Sequence, residues 1–81
     1  MGEMSLRDKL AALAHRQWSG WMDYLFKKCT FNDDGTATIP AWAVKRWKRQ
    51  MQTPFEYLPL VEQESDYVEA DKVIAVLDEV E

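Results

Sequence analysis

The chain has 81 residues, of which 47% are hydrophobic, 30% are charged and 12% are aromatic, and its formal net charge is −4. These fractions match globular domains and exclude a disordered or low-complexity chain, while the net acidic charge disfavours non-specific binding to nucleic acid. A single cysteine excludes an intrachain disulfide, and no cluster of His and Cys is present to hold zinc. We therefore expect one folded domain over residues 1–81, with no bound metal and no cofactor.

The charges are unevenly distributed along the chain. Residues 1–53 contain nine Lys and Arg against five Asp and Glu, whereas residues 54–81 contain one Lys against nine Asp and Glu. A local basic patch can hold a phosphate or an acidic partner even in an acidic chain. No apolar run is long enough for a signal peptide or a membrane span, so we expect a soluble, cytoplasmic protein.

A long amphipathic helix is predicted over residues 5–28. Ser5 followed by Asp8 comes close to a capping box, which marks a helix start. Apolar side chains then recur at three- and four-residue steps along the whole segment, as expected for a helix with one buried face. Gly20 lies inside this helix at a cost of about 1 kcal/mol relative to Ala, so close packing is predicted at that position.

A loop or short hairpin and two further helices follow. The turn residues 32–35 and the extended residues 36–39 separate the first helix from a second one, predicted over 40–52. A third helix is predicted from Pro59 to about residue 80, with one apolar stripe and an acidic outer face. The expected fold is therefore all-α, a small three-helix domain with a long loop, or a short hairpin, between its first two helices.

A signature motif runs from the end of the second helix into the third. It consists of a proline and an aromatic residue, a leucine and a proline, an acidic stretch, and then a serine, an aspartate and an alanine: Pro54, Phe55, Leu58, Pro59, Ser65, Asp66 and Ala70. Together with the His15 and Trp18 pair of the first helix, this motif resembles the ryanodine-receptor repeat (RyR) domain. Tyr67 departs from the family pattern, which often has an arginine at that position.

The resemblance implies a function in ligand binding. It is nearest to a free-standing phage or prophage version of the RyR domain, which implies a protein of the host-cell cytoplasm. Prokaryotic RyR-like domains are associated with nucleotide-derived small molecules beside defence and signalling modules. The resemblance therefore implies an anti-defence sponge that binds such a signalling molecule and keeps it from its receptor.

Seven residues are predicted to contact this ligand. His15 and Trp18 are neighbours on one helical face, and His15 is either hydrogen-bonded in the core to a carboxylate such as Asp66 or a ligand contact. Basic and aromatic side chains interleave along the second helix, where arginines hold phosphates and a ring stacks on a base. The spacing predicts that Trp47 is core and that Trp42 is exposed at an interface or a pocket mouth. The predicted ligand-binding residues are His15, Trp18, Trp42, Arg46, Arg49, Ser65 and Asp66.

Two other classes of function remain open. In the first, the chain is an adaptor that binds or inhibits a host protein through its acidic last helix and its exposed aromatic residues. In the second, the basic helix 40–52 enters a DNA groove, although the acidic last third of the chain argues against this. No nucleophile, metal cluster or phosphate-binding loop is present, so we do not expect an enzyme. The chain is too small to enclose a ligand comfortably, and we expect the site in a groove or at the subunit interface of a homo-oligomer.

Overall fold

A computed structural model describes residues 4–79 of the chain. The predicted all-α fold is confirmed, with three helices and a very short two-stranded hairpin between the first two of them. No helix in this range is both long enough and apolar enough to cross a membrane. In chain order the elements are α1 (Leu6–Lys28), β1 (Thr30–Phe31), β2 (Ala37–Thr38), α2 (Ala41–Gln52), a 3-10 turn (Phe55–Tyr57) and α3 (Leu60–Glu79).

Local signals in the sequence set the ends of the helices. At the start of α1, the backbone N–H of Asp8 donates to the Ser5 hydroxyl and the backbone N–H of Ser5 donates to the Asp8 carboxylate, which completes the capping box. Pro40 directly precedes α2, and Thr53, held extended before a proline, ends it. Pro59 precedes α3 and its carbonyl accepts the first hydrogen bonds of that helix. The three helices therefore begin and end within about a residue of their predicted bounds wherever the chain is described.

The segment between α1 and α2 forms a hairpin, one of the two alternatives that the sequence left open. Strands β1 and β2 pair antiparallel, and the side-chain amide of Asn32 donates to the hydroxyls of Thr36 and Thr38 at 2.9 and 3.0 Å. Gly35 has a φ of 88°, in the left-handed region that favours glycine. The hydroxyl of Thr36 donates to the carboxylate of Asp34 at 2.6 Å, and this bond lowers the pKa of Asp34. The turn is thus fixed mainly by its own polar side chains.

Helices α1 and α3 pack antiparallel and form the main seam of the fold. Leu13 and Val76 are buried against each other's helix, and the side-chain amide of Gln17 donates to the backbone carbonyl of Glu69 at 3.2 Å. Ala43 of α2 is the third buried apolar residue, and within residues 4–79 no other apolar side chain is fully buried. The core is therefore small, with one buried apolar residue on each of the three helices.

The molecule is flat and open. Its principal dimensions are 46 × 36 × 16 Å, and its radius of gyration is 16.5 Å, whereas a compact domain of this length has a radius of about 12 Å. Its accessible surface is 6790 Å², whereas a compact monomer of 9.5 kDa exposes about 5,000 Å². Many large apolar side chains are consequently left exposed, including Trp18, Trp42 and Met51.

The prediction of a single apolar stripe on the third helix is wrong. Val68 and Leu77 are nine residues apart, which is about 180° around a helix, and both are exposed. Ile74 lies between them in direction and is exposed as well, while Val76 faces α1. The apolar residues of α3 thus point in several directions, with acidic residues between them, and α1 covers only one of those directions. Val80, the last residue of the predicted stripe, lies outside the described residues.

Candidate interaction site

An open cleft of about 880 Å³ lies between the three helices. Aromatic rings connect α1 to α2 along it: the ring centroids of Trp21 and Tyr24 are 6.4 Å apart, and those of Tyr24 and Trp47 are 6.2 Å apart. Such separations are typical of attractive edge-on and tilted ring pairs. Trp47, predicted to be core, is half-buried in the wall of this cleft. The cleft therefore has a rigid aromatic wall.

The apolar lining of the cleft is largely accessible to solvent. Met51 at the end of α2 and Val61 at the start of α3 are each 77% exposed, and Trp21 and Val68 are also exposed. Scattered single apolar side chains are normal on a protein surface, but a contiguous set of them marks an interaction site. The charged residues of the lining are balanced in sign: Arg16, Arg46, Lys72, Glu62, Asp66 and Glu69.

Gly20 keeps part of the cleft empty. The close packing predicted at this position is not found, because a Cβ atom built there has no atom within 4 Å of it apart from its chain neighbours and the adjacent backbone of its own helix. Gly20 instead belongs to the lining of the cleft, between Gln17 and Trp21. A glycine inside a helix did mark a special position, but the space beside it is open and not filled by a packed neighbour.

One ion pair connects α2 to α3 at the edge of the cleft. Both terminal nitrogens of Arg49 donate to the carboxylate of Glu62, at 2.6 and 3.3 Å, and the Glu62 side chain is only 18% exposed. The hydrogen bonds from Arg49 lower the pKa of Glu62, and the same contact raises the pKa of Arg49. Arg49 was predicted to hold a phosphate, and in the structure its guanidinium is instead engaged in linking two helices.

Three of the predicted ligand residues share the cleft. Arg46, Ser65 and Asp66 all belong to its lining. Trp42 is exposed and lies outside the lining, with the guanidinium carbon of Arg46 over its ring at 5.4 Å from the centroid. This group brings a cation, a hydroxyl, a carboxylate and an aromatic ring to one side of α2 and α3.

His15 and Trp18 lie apart from that group. Their rings stack at 6.1 Å, both residues are exposed, and neither belongs to the lining of the cleft. The predicted pairing of His15 with Asp66 is wrong, because no hydrogen bond or ion pair joins them within residues 4–79. Helix α1 presents Leu13 and Gln17 to α3, and His15 is two residues from each of them, about 160–200° around the helix. The imidazole therefore points away from α3.

Sequence reasoning missed the apolar lining as a site. Trp21 and Met51 were assigned to buried stripes because their spacing matches a helical face, and spacing does not reveal whether another element covers that face. The available signal was the position of the apolar residues: the chain has ten aromatic residues, and its third helix has apolar residues in several directions rather than on one face.

No protein-family model, curated protein or solved structure matches the chain. Membership of the RyR family thus stays a prediction.

Proposed function

We propose that the chain is a protein-interaction module whose cleft binds the apolar face of an amphipathic helix from a polypeptide partner. The observation that carries this proposal is the exposed, contiguous apolar lining formed by Trp21, Met51, Val61 and Val68. Helix-in-groove recognition uses an apolar groove with polar groups beside it, and the lining of the cleft combines apolar residues from all three helices with charged residues of both signs. This function is of the adaptor class that the sequence left open.

The lining also suggests the chemistry of the partner. Trp21 and Trp47 present large, rigid ring surfaces, and residues of this type dominate the binding energy of protein interfaces. Arg46 and Asp66 bring charges of opposite sign to the same cleft. A fitting partner helix therefore has apolar residues at three- and four-residue steps, flanked by both acidic and basic side chains.

Site-specific photo-crosslinking tests this function. A photoreactive phenylalanine analogue at position 51 lies in the cleft, and the same analogue at Tyr57 provides the matched control, because Met51 and Tyr57 are 77% and 76% exposed and only Met51 lines the cleft. In cells that produce the chain, position 51 should give a discrete polypeptide adduct whose crosslinked peptide is an amphipathic helix. Equal or absent adducts at the two positions would count against the cleft as a binding site.

A second candidate function is binding of a nucleotide-derived small molecule, as the RyR resemblance implies. The observation that favours it is the guanidinium of Arg46 over the ring of Trp42, with Ser65 and Asp66 in the adjoining cleft. Arg46 would hold a phosphate, Trp42 would stack on a base, and the two polar side chains of α3 would hydrogen-bond sugar or base edges. His15, Trp18 and Arg49 have no direct part in this version of the site.

Titration calorimetry distinguishes the two candidates. We expect no heat when cyclic nucleotides or ADP-ribose derivatives are added to the chain, because the lining of the cleft is predominantly apolar and Arg49 is already paired. Saturable heat that is lost in Arg46→Ala and kept in Lys45→Ala would select the small-molecule function instead. Lys45 is on the same helix and does not line the cleft.

A further inference from the structure

We infer that the polypeptide that fills the cleft is a second copy of this chain, so that two copies form a two-fold dimer through their clefts. This inference rests on the proposed function and names its partner. The chain exposes more surface than a compact chain of its mass. The accessible surface of 6790 Å² exceeds that of a compact chain of 9.5 kDa by roughly 1,700 Å². A standard interface buries about 800 Å² on each partner, and obligate dimers bury more. The excess is of the size that a stable dimer removes from solvent.

Helix α3 has exposed apolar residues on the side that faces the cleft. Domains are built from packed layers, and each helix hides its apolar side against another element. Helix α3 has only α1 beside it along the seam, yet Val61 and Val68 face the cleft and are exposed. A second copy seated on the cleft supplies the missing packing for these residues and for Trp21 at once.

The cleft carries charges of both signs that a second copy can pair. Within the described part of the chain, Arg16, Arg46 and Asp66 line the cleft and form no ion pair. Helix α2 carries four basic residues and no acidic one, whereas α3 carries seven acidic residues and one lysine. In a two-fold contact each copy presents the same surface, and an axis that passes between α2 and α3 places the basic helix of one copy against the acidic helix of the other. The lining is thus electrically complementary to itself.

The test is the mass of the purified full chain in solution, measured by sedimentation or light scattering over a dilution series. The wild type should have twice the 9.5 kDa mass of one chain. Val61→Asp and Leu60→Asp form a matched pair of variants: both residues lie in the first turn of α3 and are 77% and 71% exposed, but only Val61 lines the cleft. Neither change removes a buried side chain, so both variants should fold, and circular dichroism checks that they do.

The two variants should differ sharply. An aspartate at position 61 places an unpaired charge inside the dimer contact and should raise the dissociation constant about a hundredfold or more, while Leu60→Asp should stay dimeric. A wild type that is monomeric at all concentrations overturns the inference, as does a dimer that is equally stable in both variants. If the wild type is monomeric and position 51 still crosslinks to another polypeptide, the second copy is ruled out and the interaction module stands. If there is neither dimer nor adduct, both proposals fail.

Discussion

At the scale of single residues, the cleft depends on a glycine, which has no side chain, as well as on the aromatic side chains around it. Gly20 leaves open space beside Trp21, because beyond its chain neighbours and the adjacent backbone of α1 no atom lies within 4 Å of where its Cβ would be. A helical glycine normally weakens a helix. In the isolated chain, Gly20 therefore lowers the stability of α1. The space that it leaves is useful only to a partner that binds in the cleft.

Gly20→Ala should therefore stabilise the folded chain. The backbone of Gly20 is helical and a methyl group meets no atom, so alanine restricts the unfolded chain and raises the free energy of unfolding by about 0.5–1 kcal/mol. Gly35→Ala is the control, since the φ of 88° at Gly35 strains any residue with a Cβ and should lower stability by about 1 kcal/mol or more. Urea denaturation measures both. A loss of stability in Gly20→Ala would mean that the space beside it is filled.

Residue identity alone did not predict which side chains meet. A hydrogen bond from His15 to a carboxylate such as Asp66 was one of two interpretations of that histidine, and it fails because helix α1 turns Gln17 rather than His15 toward α3. Helical periodicity fixes which residues share a face, but the direction of that face depends on the packing of the whole fold. The prediction for Trp42 is confirmed, because its position off the apolar stripe indicated an exposed ring and the ring is exposed.

At the scale of secondary-structure elements, the described part of the chain is held together by the seam between α1 and α3, by the ring contact of Tyr24 with Trp47 between α1 and α2, and by an ion pair between α2 and α3. Helices α1 and α3 meet along Leu13 and Val76, and α2 is linked to α3 by Arg49 and Glu62. The starts of all three helices and the end of α2 were predictable because capping residues and prolines act locally on the backbone. The arrangement of α2 against α1 and α3 was not, since it rests on contacts far apart in sequence.

Leu13→Ala should weaken the seam. Leu13 is 4% exposed, so its truncation leaves a cavity and should cost about 2–3 kcal/mol, at the low end for a buried leucine because the neighbouring side chains can collapse into so small a core. Leu77→Ala is the matched control, because Leu77 is 44% exposed on α3 and should cost less than about 1 kcal/mol. Equal losses of unfolding free energy in the two variants would contradict the seam.

Glu62→Gln should lower stability at neutral pH and have little effect in acid. Arg49 lowers the pKa of Glu62 in the folded chain, so the ion pair contributes fully above the pKa that Glu62 has when unfolded and is lost as the pH falls through its lowered folded pKa. The difference in unfolding free energy between wild type and variant should therefore shrink as the solution is acidified. Glu64→Gln, which removes an exposed carboxylate of the same helix, is the control. A difference that does not change with pH would contradict a stabilising pair.

At the scale of the whole molecule, the open shape is the fact that most needs an explanation. The radius of gyration of 16.5 Å and the small core of buried residues describe a chain that has not hidden its own apolar surface. Composition indicated a folded domain, and that prediction is compatible with the helices. Composition alone does not show where the large side chains lie, and their positions around each helix are needed to see that one buried face cannot hold them all.

Methionine oxidation tests most directly whether a second copy covers the cleft. Met51 lines the cleft and Met4 does not, and both are exposed in the single chain. When the purified chain is treated with hydrogen peroxide at increasing protein concentration, the oxidation rate of Met51 should fall as copies associate, while the rate of Met4 stays constant. A ratio of the two rates that does not change from the most dilute to the most concentrated sample would contradict the account.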